Sequence, residues 1–401
     1  MRRPVAILVA LAIGLAAACS AGGDGATADR DDAGPGSTTT AAAASPDDVV
    51  PEEDWAVAVP EEHGIDPAGL EGARSYAFAP EKNTQGVVVV RGGEIVAEWY
   101  ADGADRDSWA ASWSMAKSVT SAAMGIAIDE GHIGGVDEPV ATYIPEWAGT
   151  DREDITIEDL LQMSSGLEWN EDYRGTVEES DITNMVTSQP DELAFATSRP
   201  RGTEPGTEFS YSSGDTMLLS GILEEATGQP ADAYAREVLL DRIGMDPVEW
   251  WRDAGGHTLT YCCLDTTSRD FARFGLLYLR DGRWGDDQVV PEAWIDESLE
   301  PSDASEGSYG YQWWVHDIEG VPDDAFMAIG VDEQYTYVVP SLDLVVVRNG
   351  TYDKHPGAPV ADPALFPLYP VGGLVSGKGT AEPDEWDSSA FLQPIVESIQ
   401  D

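Results

Sequence analysis

The amino-acid sequence predicts a mixed α/β fold of the α+β type, with an antiparallel sheet built from strands at both ends of the folded chain. Near the start, residues 86–100 form two apolar runs around Gly92-Gly93, which is the pattern of a β-hairpin. Near the end, residues 334–340 and 342–348 make a second strand-turn-strand pattern. The chain between these hairpins has helical periodicity, so we expect flanking helices and an inserted helical subdomain.

The predicted helices follow one another through this middle region, and one more lies near the C-terminus. The helical patterns cover residues 114–130, 157–163, 216–227, 231–241, 267–280 and 388–399. The last of them is expected to pack on the sheet. Residues 352–386, which precede it, are rich in Pro and Gly and predict a surface loop.

Length and composition limit what this chain can be. It has 401 residues, of which 42% are hydrophobic, enough to bury a substantial core and to exclude wholesale disorder. Asp and Glu number 74 against 22 Lys and Arg, which gives a formal charge of −52. Such an acidic surface repels polyanions, so we expect no nucleic-acid partner. Residues 54–401 predict one continuous globular unit.

The first 18 residues predict an export signal. Arg2 and Arg3 precede an uncharged, mostly apolar run over residues 5–18, which is too short to span a bilayer. Cys19 follows Leu-Ala-Ala-Ala as in a bacterial lipobox, where the cysteine is lipidated and becomes the first residue. A polar tether over residues 19–53 would link the lipid to the folded part. We therefore expect an exported membrane lipoprotein that faces the periplasm or the cell exterior, with an ordinary cleaved signal as the alternative.

Cys262 and Cys263 are adjacent in the chain. Metal sites need spaced Cys or His ligands, and the sequence near this pair does not have them, so no metal is expected. A vicinal disulfide is possible in an oxidising compartment, but two buried thiols are the favoured interpretation.

Ser114 and Lys117 form a Ser-x-x-Lys pattern at the start of the first predicted helix of the middle region. The following residues, 119–128, are almost entirely small or apolar, which predicts a helix buried on all sides. The serine and the lysine lie one turn apart on one face, so the hydroxyl and the amine are within reach. Burial lowers the pKa of an amine, and a neutral amine can take the serine proton. A snorkelling lysine is the alternative, but the chain has only four lysines, which favours a functional one.

A second segment rich in hydroxyl groups precedes the predicted helix 216–227. Tyr211 lies there between Ser210 and Ser212. Beside Lys117 its phenol could carry a proton, whereas by itself Tyr211 is as well explained as a half-buried core residue. Its pairing with the first motif makes it a candidate for catalysis.

These motifs and three other blocks resemble the serine β-lactamase-related hydrolases of the class C type. That family includes class C β-lactamases, D-alanyl-D-alanine peptidases, carboxylesterases and 6-aminohexanoate-dimer hydrolases. The resemblance spans roughly residue 54 to the C-terminus and keeps the family's order. The matching blocks are SWSMAK (112–117), ITIEDLLQMSSGL (155–167), FSYSSGD (209–215), RDFARFG (269–275) and YGYQWW (309–314).

The resemblance implies a β-lactamase/transpeptidase-like fold and an acyl-enzyme mechanism. Ser114 corresponds to the nucleophile, Lys117 to its activating base and Tyr211 to the proton shuttle. The backbone N–H groups of Ser114 and Val331 correspond to the oxyanion hole, since backbone donors do not depend on side-chain identity. No metal or organic cofactor is needed for this chemistry.

Two departures from the family pattern concern substrate recognition. The third family motif, a Lys or His followed by x-Gly, falls on residues 328–330, where Ala328 replaces the cation. That cation normally helps to hold a substrate carboxylate, so its absence counts against penicillin or D-Ala-D-Ala recognition. Ser213 replaces a frequent asparagine of the Tyr-x-Asn motif. Both departures are typical of the esterase and 6-aminohexanoate-dimer hydrolase branch.

That branch also resembles this chain over residues 168–173. By this resemblance Tyr173 and Asp181 are candidate substrate-binding residues, although Asp181 is as well explained as one of 74 acids on a solvated surface. Ser213, Gly330 and Trp313 are further candidates for lining the substrate pocket. Core packing is expected for at least one of the adjacent tryptophans, Trp313 and Trp314.

The sequence thus predicts an exported serine hydrolase that cleaves an ester or amide in a small molecule or a short peptide-like substrate. Its five histidines are scattered, and they do not support a Ser-His-Asp triad. A D,D-peptidase or β-lactamase acting on cell-wall-like substrates is one alternative. A binding lipoprotein without catalytic activity is another, although such a protein has no use for a lysine buried beside a serine.

Overall fold

The computed structural model describes residues 49–173, 175–351 and 386–400. The predicted export signal, Cys19, most of the predicted tether and the predicted loop before residue 386 lie outside the described residues. Residues 51–53, which the sequence placed in the tether, lie against the folded body. The guanidinium of Arg273 donates hydrogen bonds to the carbonyls of Pro51, Glu52 and Glu53, at 3.4, 3.2 and 3.3 Å.

A five-stranded antiparallel sheet forms the frame of the molecule, in the order β2-β1-β10-β9-β8. The first and last strands of the described residues are therefore neighbours, which confirms a sheet built from both ends. Gly92 and Gly93 make the turn of the first hairpin with φ of 65° and 77°, values that glycine adopts without strain. The strands are β1 (Thr84–Arg91), β2 (Glu94–Tyr100), β8 (Phe326–Gly330), β9 (Gln334–Val339) and β10 (Leu344–Gly350).

Both faces of this sheet are buried. Side chains alternate between faces along a strand, so Val87 and Val89 enter one apolar cluster, whereas Val88 and Val90 enter the other. The first cluster is covered by α1 (Pro67–Ala77) and α10 (Ser388–Ser398), which pack together. The predicted C-terminal helix thus packs on the sheet as expected.

Helix α8 (Ser268–Leu279) lies on the opposite face. Gly275 allows its close approach, because a Cβ at this position would lie 2.7 Å from a methyl of Val345 and 2.8 Å from that of Thr336. Thr267 caps the helix by accepting a hydrogen bond from the N–H of Asp270, whose carboxylate in turn accepts from Thr267. The helix therefore starts where the sequence pattern predicts.

The inserted region contains helices and two small sheets. Its helices are α2 (Ala116–Asp129), α3 (Ile157–Leu161), α4 (Asp181–Ser188), α5 (Glu192–Thr197), α6 (Ser213–Thr227), α7 (Ala231–Ala235) with a π-helical turn (Arg236–Leu240), and α9 (Glu292–Leu299). One small sheet has the order β3-β5-β4, from Trp109–Ala111, Leu264–Thr267 and Glu249–Trp250, and β6 (Arg283–Trp284) pairs with β7 (Asp287–Gln288). Within the described part of the chain, no helix is both long and apolar enough to cross a bilayer.

Candidate active site

Ser114 lies on a tight turn between β3 and α2. A short 3₁₀ helix, Trp113–Met115, makes this turn, so the α-helix begins two residues after Ser114 rather than at it. The turn is fixed to β5 by Ser112, whose N–H donates to the carbonyl of Leu264 at 2.8 Å and whose Oγ accepts from its N–H at 3.0 Å. Trp113 has a φ of 43°, a left-handed conformation that is strained for a residue other than glycine.

Lys117 projects from the first turn of α2 into a buried space. The residue is 1% exposed, whereas Ser114 is partly exposed. Nζ of Lys117 donates hydrogen bonds to Ser114 Oγ at 3.1 Å, to Ser213 Oγ at 3.0 Å and to the carbonyl of Tyr261 at 3.0 Å. The structure therefore brings together the serine and the lysine that the sequence pattern pairs.

Burial changes the acid–base properties of Lys117. Desolvation lowers its pKa from 10.5 to about 8, and the negative charge of Glu171 opposes that change. At pH 7 about a tenth of such an amine is neutral, whereas an ordinary lysine is almost entirely charged. An amine of this kind can accept the proton of a neighbouring hydroxyl.

Tyr211 lies beside Lys117, in the chain segment that leads into α6. Its ring stacks on Trp314 with centroids 5.6 Å apart, and it meets Tyr309 edge-on at 6.1 Å. Nζ of Lys117 lies 5.0 Å from the centre of the Tyr211 ring. Burial raises the pKa of Tyr211 well above its ordinary value, while a hydrogen bond with Ser114 acts in the opposite direction. Tyr211 is therefore a neutral phenol at physiological pH and a proton donor next to Ser114.

Tyr173 reaches the same serine from the loop between α3 and α4. Burial raises its pKa well above the ordinary value, the charge of Glu171 adds to this effect, and a hydrogen bond with Ser114 opposes it. The phenol of Tyr173 donates to Glu171 Oε1 at 2.6 Å. Ser114 thus accepts a hydrogen bond from Lys117 and lies close to the phenols of Tyr211 and Tyr173.

Glu171 is the acid of this cluster, and the sequence analysis did not single it out. Its carboxylate accepts hydrogen bonds from Ser213 and Tyr173, and from the indole N–H of Trp169. Nothing in its spacing distinguishes it from the other acids of the chain. Only its position could have indicated a role, because Glu171 lies two residues before Tyr173, which the family resemblance identifies as a candidate substrate-binding residue.

The end of β8 lies directly against the Ser114 turn. A Cβ at Gly330 would lie 2.3 Å from the carbonyl oxygen of Ser112 and 3.1 Å from the Cβ of Trp113. Only glycine fits this contact, which brings the backbone of the next residue, Val331, beside the serine turn. On the same strand Ala328 is 2% exposed, so the side chain that replaces the family's cation is an apolar one in the core.

Two of the predicted substrate-binding residues, Asp181 and Trp313, make contacts that stabilise the fold. Asp181 begins α4, forms an ion pair with Arg199 at 2.7 Å and accepts the N–H of Asn170 at 2.8 Å. These contacts anchor the loop that carries Tyr173. Trp313 lies in the core instead of the pocket: it is fully buried, with its ring 4.4 Å from that of Tyr278.

The neighbouring tryptophan takes the place that the sequence analysis gave to Trp313. Trp314 is partly exposed and stacks on Tyr211. Adjacent residues in extended chain point to opposite sides, which is why one tryptophan packs inward and the other faces the site.

Cys262 and Cys263 form a vicinal disulfide, so the favoured interpretation as two free thiols is replaced by the alternative. The pair follows Tyr261, whose carbonyl accepts a hydrogen bond from Lys117, and Cys263 has a φ of 67°. The indole N–H of Trp250 donates to the carbonyl of Cys262 at 2.9 Å. This segment therefore forms one wall of the lysine pocket, a position that the sequence did not indicate.

Comparison with known proteins supports the fold described above. A family model described as Beta-lactamase matches residues 77–366. The 6-aminohexanoate-dimer hydrolase of Paenarthrobacter ureafaciens is 28% identical over 293 residues, which cover 68% of this chain and 74% of that protein.

Solved structures share the fold. A candidate 6-aminohexanoate-dimer hydrolase from Bacillus anthracis superposes with a TM-score of 0.62 at 22% identity, covering 82% of this chain and 89% of its own. The octameric penicillin-binding protein homologue from Pyrococcus abyssi has a TM-score of 0.57 at 18% identity, covering 79% and 78% of the two chains. At these identities the likeness concerns the fold alone.

Proposed function

Because this chain belongs to the Beta-lactamase family of serine hydrolases, we propose that it cleaves an ester or amide bond through an acyl-serine intermediate on Ser114. One observation carries the proposal: a buried amine with a pKa lowered to about 8 lies 3.1 Å from the hydroxyl of Ser114. A serine hydroxyl is a weak nucleophile unless a neighbouring base takes its proton.

The acylation step uses groups that meet at Ser114. Neutral Lys117 accepts the hydroxyl proton as Oγ attacks the substrate carbonyl, and the electron pair of the C=O bond moves to the oxygen. The N–H groups of Ser114 and Val331 are the proposed donors to that oxyanion. When the tetrahedral intermediate collapses, Tyr211 gives its proton to the leaving alcohol or amine and regains one from the Lys117 ammonium.

Deacylation repeats the sequence with water as the nucleophile. A water molecule that enters where the leaving group departed gives a proton to the basic pair, Lys117 and Tyr211, as it attacks the acyl-serine. Collapse of the second tetrahedral intermediate releases the acid and returns the proton to Ser114 Oγ. Atoms and charges balance without a metal or an organic cofactor.

Short esters and amides are the proposed substrates. The apolar Ala328 gives β8 no cation to hold a substrate carboxylate, which disfavours β-lactams and D-Ala-D-Ala peptides. Similarity to a 6-aminohexanoate-dimer hydrolase supports linear amides within this class. Tyr173, which donates a hydrogen bond to Glu171 and lies close to Ser114, is the proposed substrate-facing residue of the loop.

The test is hydrolysis of p-nitrophenyl esters by the wild type and by Ser114→Ala. We expect turnover by the wild type and its loss in the variant, with Ser188→Ala as the control because Ser188 is an exposed residue at the end of α4. No turnover by the wild type would favour the binding lipoprotein. A panel that adds linear 6-aminohexanoate amides, D-amino-acid amides and a chromogenic cephalosporin decides the class: faster cephalosporin opening would favour the β-lactamase alternative.

We also propose that the protein works outside the cytoplasm, held to a membrane by a lipid on Cys19. The basic start, the apolar run over residues 5–18 and the small residues before the cysteine support this location. Mass spectrometry of the mature protein tests it: a diacylated N-terminal cysteine is the expected result. An N-terminus at another residue, without a lipid, would contradict the anchor.

A further inference from the structure

Glu171 is connected to the proposed catalytic lysine through Ser213, and several hydrogen-bond donors hold its carboxylate in place. From the described residues, it accepts the N–H of Ser213 at 3.0 Å, the hydroxyl of Ser213 at 2.5 Å, the phenol of Tyr173 at 2.6 Å and the indole N–H of Trp169. The hydroxyl and the backbone N–H of Ser213 each donate a hydrogen bond to a different oxygen of the Glu171 carboxylate. This arrangement fixes the carboxylate against the start of α6.

The contact with Glu171 decides what the hydroxyl of Ser213 can do. A hydroxyl has one proton, and a carboxylate can only accept it, so the proton of Ser213 is committed to Glu171. The oxygen of Ser213 then has only lone pairs to offer to Nζ of Lys117, which lies 3.0 Å away. Ser213 must therefore accept a hydrogen bond from the lysine.

This restriction orients the lysine when it is neutral. A neutral amine has two N–H bonds and one lone pair. The carbonyl of Tyr261, 3.0 Å from Nζ, can only accept, and Ser213 is forced to accept as well. Both N–H bonds are thereby used, and the lone pair is left for Ser114 Oγ at 3.1 Å.

We propose that Glu171 is a positioning residue for the hydrolysis proposed above: by holding the proton of Ser213, it aims the lone pair of neutral Lys117 at the hydroxyl of Ser114. The inference rests on the proposed function and adds to it a residue that touches neither the nucleophile nor the amine. In the ammonium state the same three oxygens accept the three N–H bonds, so one geometry serves both protonation states of Lys117.

Glu171 also affects the basicity of Lys117 by its charge. Among the described residues, the titratable groups that face Nζ are Glu171 and the phenols of Tyr211 and Tyr261, whose ring centres lie 5.0 and 5.6 Å from it. Both phenols are neutral, because burial raises their pKa values. The negative charge of Glu171 favours the ammonium and opposes the effect of burial. Removing the charge is therefore expected to lower the pKa of Lys117 further.

Glu171→Gln separates orientation from charge. An amide has one acceptor oxygen and one donor nitrogen, so it cannot accept all the hydrogen bonds that converge on Glu171, and Ser213 is released to donate elsewhere. We expect the plateau of kcat/KM at high pH to fall about 10- to 100-fold, part of the contribution of a positioned base. We also expect the acid limb of the pH profile to move to lower pH. Glu168→Gln, which neutralises an exposed acid of the same loop, should change neither.

A double-mutant cycle with Ser213→Ala tests whether Glu171 affects Lys117 through Ser213. Ser213→Ala keeps the charge of Glu171, so its plateau should fall while its acid limb moves less than that of Glu171→Gln. The double variant should be no slower than Ser213→Ala within about twofold, because Glu171 acts through Ser213. Losses that multiply would instead assign Glu171 a structural role and overturn the inference.

The same assays distinguish a failure of the proposed hydrolase function from a failure of the positioning role of Glu171. If the wild type hydrolyses no ester or amide, the proposed function fails. If the wild type is active and Glu171→Gln keeps both its plateau and its acid limb, the function stands and the positioning role is wrong. Should Glu171→Gln fail to fold, as judged by circular dichroism, Ser213→Ala alone decides: an unchanged plateau would contradict the role.

Discussion

The pH dependence of hydrolysis follows from the environment of Lys117. Burial lowers its pKa from 10.5 to about 8, because desolvation disfavours the ammonium form. The amine must be neutral to accept the proton of Ser114, so kcat/KM should rise with pH and level off above about pH 8. The neutral fraction is about a tenth at pH 7 and about a hundredth at pH 6. Over this range kcat/KM is therefore expected to fall about tenfold per unit.

The assay is ester hydrolysis at substrate concentrations well below KM, followed from pH 5.5 to 9.5 at a wavelength where both forms of p-nitrophenol absorb equally. Asp215 is a second buried group that titrates in this range: burial raises its pKa to about 7, while hydrogen bonds from Ser165 and Ser212 oppose that change. Asp215→Asn is therefore the control, and the acid limb should persist in it. A flat profile between pH 6 and 8, or a limb lost with Asp215, would refute the assignment of Lys117 as the base.

Two further substitutions test the oxyanion region and the proton donor. Gly330→Ala should lower kcat at least tenfold and reduce the melting temperature, because the added Cβ would lie 2.3 Å from the carbonyl of Ser112 and must displace the end of β8; unchanged kinetics would contradict this contact. Tyr211→Phe keeps the aromatic ring but removes the phenol, so it should slow amide hydrolysis about 10²- to 10⁴-fold. It should slow acylation by p-nitrophenyl esters, measured as the initial burst of nitrophenol, much less, because nitrophenolate leaves without a proton; equal losses in acylation by both substrates would contradict a role as proton donor.

The sheet and the serine–lysine pair could be predicted from local patterns. The valine run of β1 and the Gly-Gly turn specify a hairpin from neighbouring residues, and the pairing of β1 with β10 confirms the expected sheet. Ser114 and Lys117 are three residues apart, so helical geometry alone brings them together. Predictions of this kind need no knowledge of distant contacts.

The other walls of the site depend on long-range packing that a single sequence does not reveal. The carbonyl of Tyr261 meets Lys117 across 144 positions of the chain, and Glu171 meets Ser213 across 42. The sequence does not distinguish the roles of Trp313 and Trp314, because their orientation depends on the packing of Trp313 against α8, which is distant in the sequence. Asp181 matched a family position, yet its place beside Arg199 makes it an anchor of the loop.

The serine at position 213 and the alanine at position 328 both affect the charge around Lys117. With alanine at position 328, β8 contributes no charge, and the acid of the neighbouring loop favours the ammonium form of Lys117 by its negative charge. A hydroxyl at Ser213 joins this pair through a single oxygen, 3.0 Å from the lysine nitrogen and 2.5 Å from the carboxylate. An asparagine would place its acceptor and donor on different atoms, which would hold the two charges further apart. Serine at position 213 and glutamate at position 171 therefore act as one unit: the short bridge keeps the amine oriented, and the nearby negative charge keeps its pKa close to physiological pH instead of letting burial lower it further.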